Sequence, residues 1–537
     1  MELLIKNGRL LDGTGADWFR ADVAISEGRI VEVGKVSGFH ADKEIDATGK
    51  MVSPGFIDMH SHSDMTALLY PEAESKVKQG VTTEVVGNCG FTLAPVADDT
   101  LELLKRSTDT VTPVSAALAW DWKSLSDYFE RVGRLGHSVN YAPLVGQGTI
   151  RLSVMGFEKR EPTDSEIRKM SSLLRDEIRD GAFGMSSGLV YTPGCYSKTE
   201  ELVEVAKGMS AEGGLYFSHI RNESSGVLRA IEEAIRIGEE ANVPVEVSHV
   251  KVMGKSNWGL SSKIISLLEE GRRRGVEVNA DMYPYTAGET ALWAALPAWA
   301  QEGGVDASLA KLREPAFRER VKSEMISPRE GTQSFVADAG WEGIQIPSVG
   351  SGDKAVQGRT MAELAARDGM EPFDRFVKML LDEKGEAAMI VHSMGEADVS
   401  TFMANPLVSI GSDQNGVTPG RGPLGGLLHP RAYGCFPRVL ARYVRENQIL
   451  GLPEAIRKMT SLPAGKLRLK NRGLVKPGYW ADIVVFDPLM IQDRATFENP
   501  TIFPEGIDCV IVNGIPVVEK GVHTGSRPGK VLRRNLR

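Results

Sequence analysis

The chain has 537 residues, more than one ordinary domain holds, and a globular composition of 42% hydrophobic and 25% charged residues. Its formal charge of −8 gives no electrostatic footprint for nucleic acid, and no apolar run is long enough for a membrane span. Met1 to Leu10 lacks the apolar core and small-residue cleavage site of a signal peptide. With Cys89, Cys195, Cys435 and Cys509 few and scattered, the chain reads as cytoplasmic with reduced thiols.

In chain order, LLIKNGRLLDG and ADVAISEGRIVEVG come first. They are short apolar alternations broken by Asn-Gly and Glu-Gly turns, the pattern of antiparallel strands. ADIVVFDP, CVIVNGIPVVEKG and GKVLRR repeat that texture near the other end. Neither stretch alone can enclose a core, so residues 1–52 and 470–537 are expected to pair as one small β-sandwich.

Between them, residues 53–469 alternate strand and helix patterns. Capping boxes at Thr163–Glu166 and Ser197–Glu200 each open an amphipathic run. Further helices are expected over Val227–Glu240 and Ser261–Arg274. The apolar runs PGFIDM, TTEVVG, VNYAPLV, AFGMSS, LYFSH, PVEVSH, VEVNADMY and LVSIGS are eight strands in order. This is the α/β rhythm of a closed (β/α)8 TIM-like barrel. AAMIVHSM is a ninth candidate, read as an accessory strand. Residues 288–352 depart from the rhythm between the seventh and eighth strands, where an excursion makes a lid.

The chemistry-bearing residues stand at strand ends. His60 and His62, in GFIDMHSH, are two apart on an extended segment and so share a face. His219 ends LYFSH, His249 ends PVEVSH, and Asp413 follows LVSIGS. Barrel active sites occupy this face. Four neutral imidazoles and a carboxylate suit one or two zinc ions. Cys89, in VVGNCGF, lies at the end of the second strand. Read alone it is a buried thiol or a nucleophile, but ligation beside histidines explains it more economically.

HSH after PGFID, GNCGF, SHIRNE, SHVK before NWG, DMYPY, and SD before HPRAYGCFPRVL together resemble the D-aminoacylase family of amidohydrolases. The likeness continues through IRKMTSLPA and RGLVKPGYWADIVVFDP to the C-terminus. It implies that Cys89, His219 and His249 hold a tight zinc, and that His60, His62 and Asp413 form a weaker, facultative second site. It implies a small-molecule N-acyl-D-amino acid as substrate, with Lys251, Tyr283 and Arg431 gripping its α-carboxylate. Asp413 is then the catalytic general base and acid. Family members carry the cysteine where cyclic amidohydrolases use a carboxylated lysine, and AFGMSSGL contains no lysine.

Glu289 departs from the pattern, standing where relatives carry a small hydroxyl residue that helps hold the carboxylate. It is expected to pair with Arg431 or Lys251, to turn to solvent, or to meet a substrate with an amide or cationic group. Two alternatives stand beside this reading: a cyclic-amide hydrolase of the hydantoinase or dihydroorotase kind, and an inactive scaffold on the same fold.

Overall fold

The computed structural model describes residues 1–422, 424 and 426–534, so the last three residues of the 470–537 segment lie outside it. Eight parallel strands make the barrel: β1 (Phe56–Asp58), β2 (Val81–Val86), β3 (Asn140–Pro143, resuming as Val145–Gly146), β4 (Gly184–Gly188), β5 (Leu215–His219), β6 (Val245–Val247), β7 (Val278–Met282) and β8 (Val408–Ile410). The interruption in β3 follows Pro143, which has no N–H to donate; the first half pairs with β2 and the second with β4. Pairing runs in sequence from Phe56↔Val81 to Ala280↔Val408. The ring closes where Met59 N–H donates to Ile410 O at 3.1 Å and Asp413 N–H to His60 O at 2.7 Å.

Helices after the strands bury one apolar stripe each. The Thr163 capping box forms and starts the helix Asp164–Arg179, which buries Met170, Leu174 and Ile178. The second expected box does not form. That helix, Thr199–Ser210, is preceded by Lys198 without a side-chain cap. The Ser197 hydroxyl is engaged elsewhere, donating to Glu201 at 2.7 Å and accepting from Gln147 Nε2 at 2.9 Å.

The two chain ends meet in one nine-stranded sheet. Met51–Pro54 pairs antiparallel with Ile483–Phe486, joining the N-terminal strands to Ile507–Val512 and Ile515–Glu519. Leu3, Ile5, Val23, Ile25, Val485 and Ile511 share its apolar core.

The excursion between β7 and β8 is longer than residues 288–352. Ala287–Ala291 pairs antiparallel with Ala388–His392, which also takes Ile344–Gln345. The AAMIVHSM run therefore lies outside the barrel, as the middle strand of this small sheet.

One buried cation ties two barrel strands to the rim segment that carries Asp413. Lys76 Nζ lies 2.8 Å from Asp58 on β1 and 3.1 Å from Glu84 on β2, all three side chains fully buried. It also donates to Ser412 Oγ at 2.6 Å and Gln414 O at 2.9 Å, the two neighbours of Asp413. Removing one partner of such a cluster leaves charge buried without compensation. Lys76→Met should lower the unfolding free energy by about 3–5 kcal/mol, seen as a lower midpoint in urea; an unchanged midpoint would refute this role.

Candidate metal centre and active site

All six residues expected to ligate metal converge on the C-terminal rim of the barrel. Cys89 Sγ is their hub. It lies 3.3 Å from His60 Nε2, 3.4 Å from His249 Nε2 and 3.6 Å from His219 Nδ1. Asp413 Oδ1 lies 3.6 Å from His60 Nε2 and 3.1 Å from His62 Nε2. Ligand atoms of His60, Cys89, His249 and Asp413 all fall within 4.8 Å of one another. His219 lies outside that set and touches Cys89 through Nδ1, and His62 reaches the cluster through Asp413.

These spacings fit zinc. With Zn–S near 2.3 Å and Zn–N near 2.0–2.1 Å, a tetrahedral site separates S and N by about 3.6 Å. The donor chemistry fits as well. Burial disfavours the imidazolium form, lowering the pKa of His60 to about 3 and of His249 to about 4. Both rings are therefore neutral at ordinary pH, as ligation requires. Burial also pushes the Cys89 thiol well above its ordinary value, a cost that a bound cation removes.

The backbone is bent to make this convergence. Cys89, His249 and Asp413 have φ of +55°, +35° and +53°, a region that side-chain-bearing residues rarely adopt. Each bend is held locally. His249 N–H donates to Asp281 Oδ1 at 2.7 Å, and Asp413 N–H donates to His60 O. Beside Cys89, Gly90 N–H donates to Ser186 Oγ on β4 at 3.0 Å, and the Ser186 hydroxyl donates to Gly87 O. Close packing here excludes any β-carbon at Gly188, where it would lie 2.1 Å from Cys89 O.

Asp413 faces Arg431, with Nη1 and Oδ2 2.9 Å apart. Burial would raise the Asp413 pKa, but the Arg431 guanidinium above all, with a hydrogen bond from His62, outweighs it and holds the carboxyl well below the usual carboxylate range. Asp413 is thus an anion able to accept a proton. The Arg431 guanidinium also lies 4.5 Å from the Tyr283 ring centroid, and Lys251 Nζ lies 5.6 Å from it. Lys251 is engaged by the Glu223 carboxylate.

A cleft of about 380 Å³ opens on His62, Cys89, Asp413 and Arg431. Residues 348–350 and Glu386 of the excursion line its outer wall. Glu289 faces this cleft and not solvent. Its carboxylate accepts from Gln414 Nε2, and Arg431 reaches only its backbone carbonyl, at 3.3 Å. Among the described residues, Glu289 forms no ion pair with Arg431 or Lys251.

Two buried carboxylates complete the site, and sequence reasoning gave neither a role. Asp281 Oδ1 lies 3.3 Å from His60 Nδ1, and Glu223 Oε1 lies 3.2 Å from His249 Nδ1. The available signals were the Glu of SHIRNE, four residues after His219, and the Asp of DMYPY.

A model described as the amidohydrolase family matches residues 43–518. The chain is similar to the D-aminoacylase of Alcaligenes xylosoxydans xylosoxydans, 35% identical over 99% of this chain and 98% of the relative. It is similar to a solved D-aminoacylase with a binuclear metal centre, at a TM-score of 0.82 and 36% identity over 99% of each chain. The N-acyl-D-glutamate deacylase of Bordetella bronchiseptica, solved with zinc and a phosphonate mimic of the tetrahedral intermediate, also gives 0.82. Its identity is 33% over 99% of each chain.

The family resemblance, which assigns a tight metal to Cys89, His219 and His249, makes a prediction about metal content. Cys89→Ala, His219→Ala and His249→Ala should each strip the tightly held metal, whereas His60→Ala or His62→Ala should remove less. Elemental analysis of the purified variants reads this directly. Equal loss in all five would point instead to one indivisible two-metal site.

Proposed function

The chain belongs to the D-aminoacylase family of amidohydrolases, and from that membership we propose that it hydrolyses N-acyl-D-amino acids with zinc as cofactor, yielding a carboxylate and the free D-amino acid. The observation that carries this reading is Cys89 Sγ within 3.3–3.6 Å of three imidazole nitrogens, beside an anionic Asp413. Cys89, His219 and His249 would hold the tight zinc, and His60, His62 and Asp413 a weaker second site. Zinc supplies Lewis acidity that activates water and polarises the acyl carbonyl.

The chain's own residues do the rest. Asp413 accepts the proton of the attacking water and returns it to the departing amine nitrogen. Arg431 keeps that carboxylate anionic and oriented. Lys251, Tyr283 and Arg431 form the basic wall that receives the substrate's α-carboxylate. With that group fixed, only the D-configuration turns its acyl carbon toward the metal centre. Residues 288–352 cover the cleft as a lid whose role is to exclude water. The free thiols of all four cysteines suit a cytoplasmic enzyme. The cyclic-amide alternative is disfavoured by β4, where Ser186 braces the Cys89 loop and no lysine is present.

Asp413→Asn should keep most of its zinc yet lose two or more orders of magnitude in kcat on N-acetyl-D-amino acids, because an amide cannot accept the proton. Activity within a few-fold of wild type would remove Asp413 from the chemistry.

Glu289 sets a second expectation. A carboxylate facing the cleft about 4 Å from a bound α-carboxylate costs on the order of a few kcal/mol. Wild type should therefore bind simple substrates such as N-acetyl-D-leucine poorly. Glu289→Ser should lower KM for them by about tenfold or more, with a smaller change in kcat. An unchanged kcat/KM would place Glu289 outside substrate recognition.

A further inference from the structure

The reaction as described leaves Glu223 without a task, yet its placement is specific. It lies four residues past His219, is 3% exposed, and fits behind two of the proposed ligands. Its Oε1 is 3.2 Å from His249 Nδ1, while its Oε2 lies 3.7 Å from His219 Nε2, too far for a hydrogen bond. The opposite atoms of the same rings, His249 Nε2 and His219 Nδ1, face Cys89 Sγ. The two histidines thus offer chemically different nitrogens to the sulfur, and His249 alone gives its complementary nitrogen to the carboxylate.

An ionised carboxylate only accepts hydrogen bonds, and a neutral imidazole carries one proton on one nitrogen. We propose that Glu223 is a positioning residue that sets the tautomer of His249. It draws the proton to Nδ1 of that ring, leaving Nε2 as a lone pair for zinc. This rests on the zinc reading above.

Lys251 makes Glu223 necessary. Its Nζ contacts the Glu223 carboxylate and also lies 2.7 Å from His249 Nδ1. An ammonium only donates, so serving Lys251 would make Nδ1 an acceptor and move the ring proton to Nε2, against Cys89. Glu223 opposes this twice: it is the acceptor for an Nδ1 proton, and it holds the ammonium on its own oxygens. The same ammonium argues against a separate cation among His219, Glu223 and His249, although their ligand atoms lie within 4.8 Å of one another.

Glu223→Gln separates these roles, because the amide keeps the size but can donate as well as accept. Zinc affinity, measured by chelator competition, should fall about 10–100-fold, while the zinc-stripped variant melts as the stripped wild type does. Unchanged affinity overturns the proposal. A wild-type protein that holds no zinc overturns the reading beneath it as well. Should the variant fail to fold, zinc-loaded wild type labelled with ¹⁵N-histidine decides: the imidazole assigned to His249 is expected to be protonated at Nδ1. Protonation of His249 at Nε2 overturns the proposal.

Discussion

Crowded lone pairs are the constraint on which this molecule turns. A sulfur and three imidazole nitrogens meet within 3.6 Å at Cys89, with a carboxylate at their edge. Little of this cluster meets solvent, because His60, Cys89, His219 and His249 are buried. A cation placed among them converts mutual repulsion into ligation. The barrel supplies the geometry, since parallel strands deliver all their C-terminal ends to one face. The proposed ligands come from β1, β2, β5, β6 and β8 or the residues just after them, so no local segment could assemble this centre.

Holding those side chains in place is costly, and the structure shows where the cost is met. Three of the proposed ligands sit at positive φ, each worth on the order of 1–3 kcal/mol of strain. Asp281 captures the N–H of His249, and Lys76 grips the residues on both sides of Asp413. Such a rim is organised before substrate arrives, which is what differential stabilisation of a transition state requires. The Asp413–Arg431 pair belongs to the same economy. It keeps Asp413, the proposed base, anionic in a site whose burial would otherwise neutralise it.

Much of this was legible in the sequence for a physical reason. A strand buried on both faces is a continuous apolar run, so a polar residue at its end stands out, and His60, His219, His249 and Asp413 all do. Cys89 was marked by its flanking glycines. What stayed hidden depends on distant approach. Glu223 and Asp281 look like loop and strand carboxylates until β5, β6 and β7 lie side by side. Ala287–Ala291 finds its partner a hundred residues on, and nothing in the run itself names Ala388–His392. Ser197 carries a capping signature but loses its hydroxyl to Glu201 and Gln147. Glu289 was open between solvent and site because its direction is set by Gln414, a residue of the opposite wall.

The central claim is that the Cys89-centred cluster, loaded with zinc, hydrolyses linear amides of D-amino acids. The most direct measurement adds zinc back to stripped protein while following release of free amino acid from matched panels of N-acetyl-D- and N-acetyl-L-amino acids, including those with amide and cationic side chains. The account predicts activity that rises with the first equivalent of zinc per chain and is confined to the D-substrates. Turnover that needs no metal, or that treats the two enantiomers alike, would contradict it.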